Sequence, residues 1–96
     1  MKVMAIASVK SPLTPEQRQQ YLPSEVPATL KHYLDGHIEQ FWFRENAGPI
    51  FLMNAESVEQ AKATLATLPL VAANLMSYDL IPVSPLLPLG LLIQGK

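Results

Sequence analysis

The stretch Gly48-Pro49-Ile50-Phe51-Leu52-Met53-Asn54 is apolar at consecutive positions rather than at alternate ones, the pattern of a strand covered on both faces. Lys2 to Val9 repeats it, with Val3, Met4, Ala5, Ile6, Ala7 and Val9 interrupted only by Ser8. Both segments are expected to be central strands. His37 to Arg44 mixes Ile38, Phe41, Trp42 and Phe43 with Glu39 and Gln40, and Leu75 to Val83 is diluted by Ser77 and Asp79. These two read as edge strands. Glu45-Asn46-Ala47-Gly48 is expected as a four-residue turn that sets Trp42 opposite Phe51 and Phe41 opposite Leu52. A change of one residue in its length would alter every pairing.

Between the strands lie two helical patterns. Thr14-Pro15-Glu16-Gln17 combines an N-cap, a proline suited to the first turn and a glutamine able to complete a capping box. Pro23 lacks the N–H that a helix interior needs, and Ser24 offers a new cap with Pro27 in the following turn, so a kink or two short helices are expected. Val26, Leu30, Tyr33 and Leu34 fall at helical spacing and predict the stripe that packs on the sheet, with Lys31, His32 and Asp35 away from it and Asp35-Gly36 as the stop. Asn54 or Ser57 is expected to cap the second helix, whose stripe is Val58, Ala61, Leu65 and Leu68 and whose end is Pro69.

The element order is therefore β-α-β-β-α-β, the ferredoxin-like pattern of an α+β fold. Its antiparallel sheet runs in the order 4-1-3-2, which centres the two apolar strands. Right-handed crossovers bring both helices to one face. The other face would be left uncovered, and a large apolar patch is uncommon on a monomer. A symmetric homodimer, or a higher homo-oligomer, with these faces together is the expected solution. The domain spans 1–84, and 85–96, rich in Pro and Leu, is expected to be an extended arm packed on the partner subunit.

Composition supports an assembly. Hydrophobic residues make up 49% of the 96 and charged residues 16%, below the roughly 25% usual in soluble proteins. Seven basic and eight acidic residues, a net charge of −1 and a pI near 6.0 leave no electrostatic footprint for nucleic acid or an anionic membrane. No cysteine is present, which removes disulfides, thiolate chemistry and Cys-based metal sites and fits a cytoplasmic location. The apolar run at Met1–Ala7 is too short for a signal peptide, and the apolar tail falls far short of the roughly 20 residues that span a bilayer.

Proton transfer at neutral pH needs a group titrating there, and His32 and His37 are the two histidines. His37, starting the second strand beside a helix end, is the candidate acid–base group; the competing reading is a solvated strand-end histidine, and for His32 a surface role. Glu39 lies two residues on, on the same face of an ideal strand, and would orient or charge the His37 ring; otherwise it is an edge-strand charge. Tyr33, Trp42, Phe51 and Tyr78 are candidate pocket walls for a flat ligand, or else core. Arg44 would hold a ligand carboxylate, and Asp79, on the opposite edge of the sheet from His37, would reach it only across a dimer. Two histidines without a carboxylate cluster do not make a metal site, and neither a phosphate loop nor a Ser-His-Asp motif can be read.

Asn54-Ala55-Glu56-Ser57 leading to Leu65, the exit Leu68-Pro69-Leu70-Val71, and Gly36 followed six residues later by Trp42 resemble the muconolactone isomerase-like group of the dimeric α+β barrel proteins. More distantly the layout is similar to YciI-like proteins and to small monooxygenases of antibiotic biosynthesis. The resemblance implies a homo-oligomer of barrel dimers, a pocket for a small organic molecule, no metal or organic cofactor, and isomerase chemistry that moves a proton on an unsaturated lactone. Where that family carries basic residues and a histidine between the matching Gly and Trp, this chain has Glu39 and Gln40, so the resemblance transfers no catalytic residue. A non-catalytic ligand-binding or structural module and a cofactor-free monooxygenase remain as alternatives.

Overall fold

The computed structural model describes residues 1–45 and 47–84, and the arm expected at 85–96 lies outside them. The elements are β1 (Lys2–Val9), α1 (Pro15–Leu34), β2 (Ile38–Arg44), β3 (Gly48–Asn54), α2 (Val58–Leu65), α3 (Pro69–Ala72) and β4 (Met76–Val83). All sheet neighbours are antiparallel, in the order β2-β3-β1-β4. This is the expected ferredoxin-like arrangement, with the two continuously apolar strands in the centre.

One face of the sheet carries the core. Val3 and Ala5 of β1 and Phe51 and Met53 of β3 are buried with Ala61, Leu65 and Leu68 from α2 and the segment after it. The alanines of β1 are small for a reason. Ala5 pairs with Phe51, Ala7 pairs with Tyr78, and the two rings stack above β1 with centroids 5.4 Å apart. Larger residues on β1 would fill the space these rings occupy. On the other face, Trp42, Ile50, Ile6 and Asp79 form one row across all four strands, and Gln40, Leu52, Met4 and Ile81 form the next. Its central aliphatic side chains are only half-buried, while Trp42 and Ile81 are each 46% exposed.

The hairpin register differs from expectation by one residue. Phe41 pairs with Phe51, Trp42 with Ile50 and Arg44 with Gly48, because Gly48, at φ +84°, closes the turn and is already paired. Three residues, not four, form the loop. The shift places Trp42 on the helix-free face and Phe41 on the helical side, where it meets Tyr33 edge-on at 5.2 Å. Arg44 straps the turn by donating from Nε to Gly48 O at 3.1 Å and from Nη2 to Ala47 O at 2.9 Å and Ala7 O at 2.6 Å.

Helix α1 also differs. Thr14 and Gln17 form the predicted capping box, with reciprocal bonds of 3.0 and 3.1 Å, but the helix runs unbroken through Pro23 and Pro27. The two prolines are four residues apart and exposed, so the carbonyls that lose their helical donors lie on the solvent side. Ser24 donates to Tyr21 O at 3.1 Å rather than capping a second helix. Of the stripe expected against the sheet, Tyr33 reaches Phe41, but Val26, Leu30 and Leu34 face outward, with Val26 61% and Leu34 74% exposed. Glu25 and Ala28 turn inward, and Glu25 is only 7% exposed. The rotation is held by polar contacts, since Glu25 Oε1 accepts from Leu70 N at 2.9 Å and His32 Nε2 lies 2.8 Å from Thr67 Oγ1.

Ser57, not Asn54, caps α2, accepting from Gln60 N at 3.0 Å. Pro69 does more than end a helical stretch, for it opens α3 at the first helical position. Leu68 provides no side-chain cap there; Glu25 supplies the acceptor for Leu70 N from across the layer.

Gly36 and Gly48 have nearly the same dihedral, φ +85° and +84°, which disfavours any L side chain by about 1–2 kcal/mol. Their surroundings differ. A Cβ at Gly48 would sit 3.0 Å from Ala7 Cβ, whereas one at Gly36 would meet nothing within 4 Å. Urea unfolding should therefore rank Gly48→Ala as the more destabilised variant, with Gly36→Ala losing about 1 kcal/mol. Equal losses would contradict this packing.

Candidate functional site

The C-terminus of α1 assembles the most organised polar cluster. Gly36, in the left-handed conformation, lets Gly36 N reach Tyr33 O at 3.2 Å and His37 N reach His32 O at 2.9 Å, the paired bonds of a Schellman cap. That motif brings the residue after the glycine back over the one five positions earlier. Here both are histidines. Their Nδ1 atoms are 3.1 Å apart and their ring centroids 5.3 Å. From the sheet, Asn54 N donates to His37 O at 2.9 Å and Asn54 Nδ2 to Gly36 O at 3.0 Å. His37 is thus fixed from both layers, yet it is exposed.

His32 is partly buried rather than solvated. Partial burial lowers its pKa from the ordinary histidine value, the charge of His37 and then Lys31 push the same way, and Asp35 opposes them. Its Nε2 bonds Thr67 Oγ1, whose own proton goes to Thr64 O at 2.7 Å. Reading the sequence for a surface histidine missed this partner. The five-residue spacing across a capping glycine was the signal that the two rings meet.

A second polar site lies inside the layer. Burial pushes the Glu25 carboxyl above the usual carboxylate range, and the Leu70 N–H offsets this only in part. Tyr78 is raised far above the ordinary phenol value, first by burial and then by the charge of Glu25. Its hydroxyl is buried and has no hydrogen-bond partner among the described residues. Nothing in the apolar periodicity of α1 pointed to Glu25.

The other expected site residues are distributed over several places. Glu39 sits at a bulge, where the β2–β3 register shifts between Ile38 and Gln40, and its carboxylate is ion-paired with Lys2, which also bonds Asn54. His37 and Glu39 therefore have different partners. Tyr33, Glu39, Gln40 and Phe41 line a shallow open depression of about 250 Å³. Arg44 lies at the far end of β2, six residues from Ile38 and so roughly 20 Å away, beside a second depression of about 300 Å³ that it lines with Ala7, Ser8, Val9 and Ala47. Trp42 and Asp79 share a row on the helix-free face, while Phe51 and Tyr78 stack in the core. No group of three or more metal-ligating side chains occurs among the described residues, and no described helix is long and apolar enough to cross a membrane.

These features define a small α+β protein of ferredoxin-like topology with an ordered histidine pair at one sheet end. Its fold is similar to that of muconolactone isomerase: the crystal structure of that enzyme superposes with a TM-score of 0.72 at 21% sequence identity, covering 90% of this chain and 93% of the other. No family model matches the chain, and no curated protein sequence matches it. The likeness is therefore one of fold.

Glu25 gives a test of the buried layer. Because its folded pKa is raised, the folded state holds the proton more tightly than the unfolded chain, so its contribution to stability is fully present below about pH 4.5 and is lost as pH rises through the folded value. Glu25→Gln keeps an oxygen for Leu70 N and cannot ionise. Urea titrations should show the variant gaining stability relative to the parent between pH 4 and pH 8; a constant difference over that range would place Glu25 in solvent-like surroundings.

Proposed function

We propose that this chain binds a small, largely apolar molecule and moves a proton on it, with His37 as the acid–base group, as an isomerase acting on an unsaturated lactone or a similar ring compound. The observation that carries this reading is the His32–His37 contact at 3.1 Å, which orders an exposed imidazole through its ring nitrogen. General acid–base catalysis requires a titrating group held in place in this way. In the reaction, the His37 nitrogen removes a C–H proton acidified by the lactone carbonyl and returns it to the other end of the allylic system. The depression lined by Tyr33, four residues before His37, and by Glu39, Gln40 and Phe41 after it is the proposed ligand seat. The fold likeness to muconolactone isomerase supports the choice of substrate class. No cofactor is needed for such a step.

The reading includes a homodimer with the helix-free faces together, each subunit extending residues 85–96 over its partner, in the cytoplasm. Its support is the row structure of that face, where Met4, Ile6, Ile50 and Leu52 sit between the half-exposed Trp42 and Ile81. A second reading, a binding module without catalysis, is favoured by the way Phe51 and Tyr78 fill the interior.

The two parts are tested separately. With muconolactone as probe in D2O, the parent protein should catalyse deuterium incorporation seen by proton NMR, and His37→Gln should lose about 10²–10⁴-fold of that rate. An unaffected variant, or a parent that exchanges nothing, would leave the non-catalytic reading in possession. Sedimentation at micromolar concentration should give a dimeric mass that Ile81→Glu reduces to a monomer; a monomeric parent would end the interface argument.

A further inference from the structure

The hydrogen bonds around His32 single out one arrangement of protons for the neutral pair. Thr67 has a single hydroxyl proton, and it is given to Thr64 O at 2.7 Å. The Thr67 oxygen must then accept from His32 Nε2 at 2.8 Å, so Nε2 of His32 carries the ring proton. Neutral His32 is left with a bare Nδ1, which faces Nδ1 of His37 at 3.1 Å. Two bare nitrogens at that distance repel, so the proton between them belongs to His37 Nδ1. The lone pair of His37 is therefore on Nε2, for which no hydrogen bond is formed among the described residues.

We propose that Thr67 and His32 are positioning residues that hold His37 in the Nδ1–H tautomer, with Nε2 presented as the base. This rests on the acid–base reading of His37. The role given to His32 is the one that an orienting carboxylate plays in hydrolase triads, carried here by a neutral imidazole. When Nε2 takes a proton, the resulting imidazolium still donates from Nδ1 to His32, so the contact survives the catalytic step. A second proton would have to enter at His32 Nδ1 and set two N–H groups face to face. Lys31 on α1 and Asp35, its C-cap, are the other charged groups acting on His32, and their effects oppose each other.

The backbone supports the same geometry. Gly36 and Asn54 fix the main chain on both sides of the His37 ring, so the ring nitrogens are oriented by side-chain partners alone. Thr67 itself is exposed, and replacing it by valine removes the acceptor without disturbing the core.

Long-range ¹H–¹⁵N correlation spectra of the labelled protein at pH 8 read each tautomer directly. The parent should show His37 protonated at Nδ1 and His32 at Nε2. Thr67→Val should release His32 and return His37 to a tautomer mixture, and Thr67→Ser should restore the parent pattern. In the muconolactone exchange assay, Thr67→Val should lose rate by at most the roughly 10²–10⁴-fold that acid–base catalysis supplies, with Thr67→Ser recovering it. A parent spectrum with His37 protonated at Nε2, or a His37 tautomer indifferent to Thr67→Val, overturns the positioning network. The predicted tautomers together with exchange unaffected by His37→Gln would instead overturn the acid–base reading, and with it the catalytic use of the network.

Discussion

The sheet has two apolar faces and the described chain has one helical layer. That mismatch governs the architecture. Val3, Ala5 and Ala7 alternate with Met4 and Ile6 along β1, and Phe51 and Met53 alternate with Ile50 and Leu52 along β3. The first set is buried under the helices and the second is only half-covered. Edge strands tolerate one wet face more readily because polar residues lie on it, Gln40 on β2 and Ser77 and Asp79 on β4. Central strands of this composition cannot do so at low cost, since each large aliphatic side chain left in water forgoes about 1.5–3 kcal/mol of transfer free energy. The same two-sidedness made the central and edge strands distinguishable by their polarity.

Helix α1 shows what periodicity does and does not specify. Leu22, Val26, Leu30 and Leu34 recur every four residues and define a real apolar ridge, yet all four are exposed. A hydrophobic pattern states that a helix has two faces; it does not state which one the sheet will take. Here the choice follows the polar partners. The segment from Thr67 to Leu70 offers a hydroxyl and an unsatisfied backbone N–H, and only the face carrying Glu25 and His32, seven residues apart, can meet both. Ala28 lies between them and packs against the core, so the helix can approach closely. An inward carboxyl is counter-intuitive in a sequence because it is read as a charge. In the layer it is held towards the neutral acid and is therefore less costly to bury.

Several features were legible because they are local. The capping box at Thr14, the stop at Gly36 and the existence of the four strands follow from residues near one another in the chain. The hairpin register was not, because Gly48 can serve equally as the last loop residue or the first paired one. Its left-handed φ and the Arg44 strap across to Ala7 decide the matter, and the second of these is a contact over 37 positions. The bulge at Glu39 is similar: an ideal two-residue period would set it beside His37, but the carboxylate goes to Lys2. Proline as a helix breaker failed at Pro23 and Pro27 because both lie on the solvent side, where a freed carbonyl is hydrated.

The histidine pair joins these threads. A glycine cap ends α1 for reasons of backbone conformation, and its geometry makes the residue after the glycine return over the last turn. In most such caps that contact is apolar. Two imidazoles in those positions turn a structural closure into a hydrogen-bonded one with a direction, because an imidazole must choose which nitrogen bears its proton. Thr67 sets that choice from the far side of the layer, through the same face of α1 that Glu25 anchors. The rotation of α1 that leaves leucines in water is thus also what places His32 between Thr67 and His37. A helix seated on its apolar ridge would have carried His32 to the surface and left His37 with no orienting partner.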